Sequence, residues 1–484
     1  MISKSDSFDS SKNSLNVNIE SFDENLDSDK PTWKDECAVF GVWNDPEASH
    51  MTYLGLFALQ HRGQESSGIV TLDGQSHIEK KGLGLVGEVF SEADLKALSG
   101  RAAVGHNRYS TTGNNIISNY QPLTANLLTG PLALAHNGNL INDKELKKEL
   151  KEQGSIFQGT SDTEVLLHLL AKDQRTDLVE CLKTALKKLK GAYSFVILSK
   201  NSLIAARDPY GFRPMVLGKR KHEEGESWVI ASETCAFDLI GAELIREIAP
   251  GEIIKIDDKG LTSEIFDTRT KQAQCIFEHV YFSRPDSNVF GLNVYSTRKE
   301  MGKALARENN IDADLVIPVP DSGIPSALGF SQESKIPFEL GIIRNHYIGR
   351  TFIQPSQSIR SFGVKIKLNP QADILRGKRI IVIDDSLVRG TTSKKIISLL
   401  RHAGAKEVHF LVACPPTVSP CYYGVDTPEK DQLIAANHTL NQIRDFIGAD
   451  SLAYLSHEGL LSSVAKAPRQ GFCSACFTED YPEM

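Results

Sequence analysis

Between residues 380 and 393 the chain reads Ile-Ile-Val-Ile-Asp-Asp-Ser-Leu-Val-Arg-Gly-Thr-Thr-Ser. A run of β-branched residues, then two adjacent carboxylates, then a Gly/Ser/Thr loop is compatible with few folds. A strand near-continuous in Ile and Val is covered on both faces, as in a parallel sheet, and a loop at its carboxyl end aims side chains and backbone N–H groups at a ligand. The loop continues into Lys394–Arg401, which has helical spacing and stops at Gly404, and a second apolar run follows at Val408–Ala413. This is a β-α-β unit whose helix N-terminus faces the loop, and free N–H groups there make an anion site. A phosphate is therefore expected. Asp384 and Asp385 cannot hold it, so they must face ribose hydroxyls, a metal or a developing positive charge on the same ligand.

A second feature lies at Asp35-Glu36-Cys37-Ala38-Val39-Phe40-Gly41-Val42. Residues 1–36 contain eight Ser, nine Asp or Glu, four Lys and no Arg. Such a segment cannot bury a core and is expected to be disordered. It lacks the apolar stretch of a secretory signal and the Arg-rich, acid-poor character of a transit peptide, so a removable leader is expected. Cleavage after Glu36 would put a thiol and a free α-amine on one residue. An amine with a pKa of about 8 is a suitable general base at neutral pH.

The 484 residues exceed what one core usually supports, and 40% hydrophobic with 24% charged residues is ordinary globular composition. A net charge of −7 offers no electrostatic case for nucleic acid. No apolar run reaches the roughly 18 residues of a membrane span, so a cytoplasmic protein without a membrane partner is expected. Strand-like segments dominate to about residue 265, with a helical pair at 163–190; strand and helix alternate afterwards. The expected organisation is a leader at 1–36, one domain at 37–270 and a second at 271–484.

Four further segments follow Cys37 in order: Gln60-His61-Arg62-Gly63-Gln64-Glu65, Gly105-His106-Asn107-Arg108-Tyr109, His136-Asn137-Gly138-Asn139 and Ser161-Asp162-Thr163-Glu164. Together they resemble the N-terminal-nucleophile glutamine amidotransferases, and the 380–393 segment resembles the phosphoribosyl-pyrophosphate (PRPP) loop of type I phosphoribosyltransferases. The pair, over residues 37–484, is similar to the glutamine PRPP amidotransferases. The resemblance implies an α/β/β/α glutaminase domain joined to a type I phosphoribosyltransferase α/β domain, with glutamine and PRPP as substrates. It implies that Cys37 is the nucleophile, that Asn137 and Gly138 form the oxyanion hole, that Arg108 grips the glutamine carboxylate and that Asp162 pairs with its ammonium. Arg62 belongs to the same glutamine-binding pattern, with a structural role as the alternative. Glu164, three residues after Ser161, reads as a capping box, and His106 and His136 as packed histidines.

In the second half the resemblance implies a PRPP site from Asp384, Asp385, Ser386, Arg389, Gly390, Thr391 and Thr392, a pyrophosphate loop at Asp321-Ser322-Gly323, and Mg²⁺ held by Ser322, Asp384 and Asp385. A lid over PRPP would include Arg344, Tyr347 and Arg350, with Arg344 and His346 standing where Lys and Arg are expected. A homotetramer inhibited by purine nucleotides is also implied.

The eight cysteines divide by context. Cys181, Cys235 and Cys414 read as small core residues. Cys275, Cys421 and the Cys473/Cys476 pair sit in irregular or terminal segments, and four thiols of this kind suit either a tetrahedral zinc or a [4Fe–4S] cluster. Spacing does not choose between the two. The resemblance implies the [4Fe–4S] cluster, because one branch of the family carries Cys at these four positions.

Overall fold

The sequence explains why the first half forms two stacked sheets. In Ala38–Trp43, Ala38, Phe40 and Val42 face helices on one side, while Val39 faces the other sheet. In Gly130–Leu140 the same alternation puts Leu132 and Leu134 toward outer helices and Ala133 and Ala135 between the sheets. Period-2 patterning with both faces apolar is what a strand covered on both sides requires.

The computed structural model describes residues 37–73, 76–109, 117–269, 271–345, 368–468 and 471–483, all within the compact unit that spans Thr32–Met484. The expected leader, residues 1–36, lies outside them. One antiparallel sheet has seven strands in the order Ala242–Glu247, Val216–His222, Gly225–Ala231, Ala38–Trp43, Ala102–Arg108, Ser66–Asp73, Ser76–Leu83. The other has six, ordered Gly260–Ile265, Glu252–Asp257, Ser202–Arg207, Gly191–Ser199, Gly130–Leu140, Leu123–Leu127. Ala48–Ala58 and Cys235–Ile240 cover the first sheet; Glu164–Lys172 and Leu178–Leu186 cover the second. The layering is α/β/β/α, as expected, and the last two helices are the anticipated pair.

The second half is built on four parallel strands in the order Leu315–Pro318, Arg379–Asp384, Glu407–Val412, Ser451–Tyr454. The two leading strands are neighbours, so their carboxyl-end loops lie side by side although some sixty positions apart in sequence. The helix after the acidic pair runs Thr391–His402, three residues earlier than its apolar spacing indicates. Among the described residues no helix is long and apolar enough to cross a membrane.

The capping box expected from Ser161 and Glu164 is not formed. Thr163 occupies the N-cap without a side-chain cap, and Glu164 instead accepts from the backbone N–H of Gln158 (2.7 Å) and Gly159 (2.9 Å). The preceding loop folds back and presents two donors to that carboxylate, which satisfies more backbone than a cap would.

Helices Val294–Glu308 and Ile324–Ser334 meet through Gly302, where a Cβ would lie 1.9 Å from the Ser326 carbonyl oxygen. Gly302→Ala is expected to lower stability by about 1–3 kcal/mol through overpacking, measured as a shift of the urea midpoint at unchanged slope.

Candidate functional site

Cys37 immediately precedes the Ala38–Trp43 strand and is buried, its thiol donating to the Tyr109 carbonyl at 3.5 Å. The strand register sets Ala38 opposite Asn107 and Val39 opposite His106, so Arg108 and Tyr109 close over Cys37. His106 Nε2–H donates to the His136 carbonyl at 2.9 Å, joining the sheet that follows Cys37 to the strand that carries Asn137 and Gly138. Asn137 is buried, and its Nδ2 has no hydrogen-bond partner among the described residues. Gly138 has φ +148°, and a Cβ there would lie 2.1 Å from the Ala192 carbonyl oxygen. Only glycine fits this backbone. Asp162 accepts from the backbone N–H of Leu140 (2.9 Å) and of Thr163 (2.8 Å). Arg108 is 2% exposed, at the end of its strand.

His106 and His136 match the expectation of packed histidines. Burial pushes His106 down to about 3, its bond to the His136 carbonyl opposing only in part. His136 is likewise lowered by burial, against the pull of Asp162. Both are neutral at physiological pH.

Arg62 is fully buried. Its Nε–H donates to the Cys37 carbonyl (3.2 Å), Nη1 to Glu233 (2.7 Å) and Nη2 to Glu278 (2.7 Å). Glu278 also meets Arg213 (3.4 Å), and Glu233 accepts from His61 (2.7 Å) and from the backbone N–H of Arg284 (2.9 Å). Burial alone would raise the Glu233 carboxyl, but His61 and Arg62 overcome it and hold the group near 2. The two glutamates escaped the sequence reading because the arginine and histidine side chains they pair with lie 65 to 216 positions away. The one available signal was a charge standing inside the apolar run Cys275-Ile276-Phe277-Glu278.

In the second half, Asp384 and Asp385 are both buried at the end of their strand. Burial raises both carboxyls; the Asp385 charge raises Asp384 further, while hydrogen bonds from Ser322 and Ser386 and the Arg298 charge oppose the rise of Asp385. Asp385 accepts from the Ser386 hydroxyl (2.5 Å) and is hydrogen-bonded to Ser322. Gly323 presses against the same strand, where a Cβ would lie 2.5 Å from the Ile383 carbonyl oxygen. The Asp321–Gly323 loop and the loop that opens at Asp384 are therefore in contact. Gly390 is the N-cap of the Thr391–His402 helix, and Thr391 and Thr392 form its first turn. Arg389 donates to Gln432 (2.6 Å) and keeps two buried guanidinium nitrogens without a partner among the described residues. Arg344 pairs with Asp321 at 2.5 Å. His346, Tyr347 and Arg350 lie outside the described residues.

Cys275, Cys421, Cys473 and Cys476 line one pocket, walled by Phe212, Phe277 and Tyr423. Cys275 and Cys473 are register partners in a short parallel pair, and the backbone N–H of Tyr423 points at the Cys421 sulfur (3.3 Å). Burial pushes Cys473 up to about 12 and Cys476 well above the ordinary thiol value. Among the described residues no three His, Cys, Asp or Glu side chains form a group close enough for a single metal ion. Cys181, Cys235 and Cys414 are buried, as expected of core residues.

Two families match this chain: a glutamine amidotransferase domain over residues 106–238 and a phosphoribosyl transferase domain over 299–434. Amidophosphoribosyltransferase of Bacillus subtilis is 49% identical over 452 residues, covering 93% of this chain and 94% of that protein. The chloroplastic amidophosphoribosyltransferase 1 of Arabidopsis thaliana is 51% identical, covering 95% and 81%. The solved structure of the B. subtilis glutamine PRPP amidotransferase complexed with ADP and GMP superposes with a TM-score of 0.87 at 48% identity, covering 93% of this chain and 98% of that one.

Because Glu233 lies near 2 when folded and near 4.5 when unfolded, its contribution to stability is complete above about pH 4.5 and is lost as pH falls toward 2. Glu233→Gln is expected to lower stability at pH 7 by about 3–5 kcal/mol, since Arg62 loses a buried counter-charge. Its melting temperature should also fall less steeply than the parent's between pH 5 and 3. Parallel pH profiles would contradict the assignment.

Proposed function

The chain belongs to the amidophosphoribosyltransferases, the enzymes of the first step of purine biosynthesis, and on that premise we propose how its residues divide the work. The reaction takes nitrogen from glutamine and delivers it as ammonia to PRPP, giving 5-phosphoribosylamine, glutamate and pyrophosphate. Cys37 attacks the glutamine side-chain amide once removal of residues 1–36 has freed its α-amine, which serves as the base. Asn137 Nδ2 and the Gly138 N–H stabilise the tetrahedral oxyanion, each such donor contributing roughly 3–4 kcal/mol. The buried Nδ2 without a protein partner is the observation that carries this assignment. Arg108 takes the glutamine carboxylate, a task suited to a planar bidentate cation, and Asp162 the ammonium. The Arg62 bonds to Cys37, Glu233 and Glu278 favour a role in holding the nucleophile's backbone over direct contact with glutamine.

At the second site the PRPP phosphate sits at the Thr391–His402 helix N-terminus beside Arg389 and Gly390, with Asp384 and Asp385 toward the ribose. Ser322, Asp384 and Asp385 are hard oxygen donors whose two carboxyls are raised chiefly by burial, so they fit Mg²⁺, which would neutralise charge on the pyrophosphate. Closure of the Arg344–Ile353 segment would exclude water and favour ammonia over hydrolysis. Ammonia must pass unprotonated between the sites.

The four pocket cysteines fit a [4Fe–4S] cluster: the donors are all sulfur, Cys473 and Cys476 are costly to ionise without a metal, and Cys421 accepts an N–H bond. Its role would be structural, since neither half-reaction transfers electrons. A cytoplasmic homotetramer completes the proposal, and the B. subtilis structure with ADP and GMP supports control by purine nucleotides.

Cys37→Ala and the uncleaved chain should lose glutamine-dependent synthesis and retain synthesis from free ammonia, assayed side by side. Asp385→Asn should lose synthesis from both donors while basal glutaminase persists. Glutamine use at the normal rate in Cys37→Ala would refute the nucleophile assignment. Protein purified without oxygen should be brown with about four iron per chain; stoichiometric zinc would overturn the cluster.

A further inference from the structure

Gly138 is bounded by a segment that belongs to the other domain. A Cβ on Gly424 would lie 2.9 Å from the Gly138 carbonyl carbon and 3.0 Å from its Cα. Gly424 has φ +102°, so its backbone as well as the available space demands glycine. The neighbouring Asn139 donates from Nδ2 to the Tyr422 carbonyl at 2.9 Å. The Tyr423 carbonyl accepts from Nε and Nη2 of the buried Arg213, at 3.0 and 2.7 Å. Arg213 also meets Glu278, which Arg62 binds, and Arg62 holds the Cys37 carbonyl. Three consecutive residues, Tyr422 to Gly424, thus touch the strand of the oxyanion donors directly and the nucleophile's backbone through three side chains, Arg213, Glu278 and Arg62.

The segment is itself fixed at its other end. Cys421 lies in the four-thiol pocket and its N–H donates to Thr427 Oγ1 at 2.7 Å. The Tyr423 ring stacks on Phe212 at 4.2 Å, and the Tyr481 hydroxyl donates to the Pro420 carbonyl at 2.6 Å. A support packed against the Cα and carbonyl of the residue that carries an N–H donor serves an oxyanion hole, because a displacement of about 1 Å in such a group costs on the order of 100-fold in rate.

We propose that the Pro420–Gly424 segment is a positioning element for the glutaminase site, with Gly424 and the Asn139–Tyr422 hydrogen bond setting the Gly138 donor, so that the thiol pocket of one domain controls the oxyanion geometry of the other. The inference rests on the reading of Asn137 and Gly138 as the oxyanion hole.

The test compares Gly424→Ala, Asn139→Ala and Asn137→Ala in the full protein, with iron content and ammonia-dependent synthesis measured on each preparation. Gly424→Ala should lower glutamine-dependent kcat roughly 10- to 100-fold with little change in KM for glutamine, unchanged iron and ammonia-dependent synthesis within about twofold. Asn139→Ala removes the hydrogen bond without a clash and should show the same split at smaller size, which guards against misfolding of the glycine variant. If Asn137→Ala is crippled while the other two match the parent, the positioning role is overturned and the oxyanion reading survives. If glutamine- and ammonia-dependent rates fall together in the two supporting variants, the segment is merely structural. An Asn137→Ala protein with normal glutamine turnover would overturn the oxyanion assignment and the proposal with it.

Discussion

A set of buried charges, Arg62 and Arg213 against Glu233 and Glu278, is the interaction on which the rest of the molecule depends. Buried ions are costly unless each is paired and hydrogen-bonded, and here the partners complete one another. Ser283 and Ser287 hydroxyls and the Arg284 N–H supply further donors to the glutamates. Arg62, Arg213 and Glu233 come from the glutaminase half, while Glu278 and residues 283–287 open the second half. Removing either half would leave uncompensated charge in the interior. The domains are therefore two in architecture and one in electrostatics.

The same set reaches both chemical centres. At one end Arg62 grips the Cys37 carbonyl. At the other, Arg298, also buried, donates to the carbonyls of His279, Tyr281 and Ser283, and its charge acts on Asp385. The Cys37 backbone and the Asp384–Asp385 loop are thus tied to one set of buried charges. The C-terminal residues add a further tie, with Glu483 accepting from the Gly191 N–H at 2.9 Å beside the strand of Asn137 and Gly138.

How much was legible in the chain depended on range. The β-α-β unit at 379–412 was readable because strand, loop and helix are contiguous and each carries its own local signal. Cys37, Asn137, Gly138, Arg108 and Asp162 were readable as an ordered set, and the fold gathers their segments through strand register and the His106–His136 bond. Glu164 shows the opposite case. A local capping pattern was present, yet a loop folding back offered its carboxylate two better donors. Glu233, Glu278, Arg213 and Gly424 gave almost no warning, since each has meaning only beside a residue many positions away.

The sequence by itself determined the parallel β-α-β unit, because periodicity and adjacent carboxylates are properties of a short segment, while the α/β/β/α layers and the candidate residues of both sites were expected from the family resemblance that its short motifs carry. Only the tertiary structure decided that the Asp321–Gly323 and Asp384–Thr392 loops touch, that four distant thiols share one pocket, and that the Tyr422–Gly424 segment lies against the strand of Asn137 and Gly138. Those are contacts between elements brought together by sheet order and by buried charge pairing. Neither is written in any local stretch of the chain.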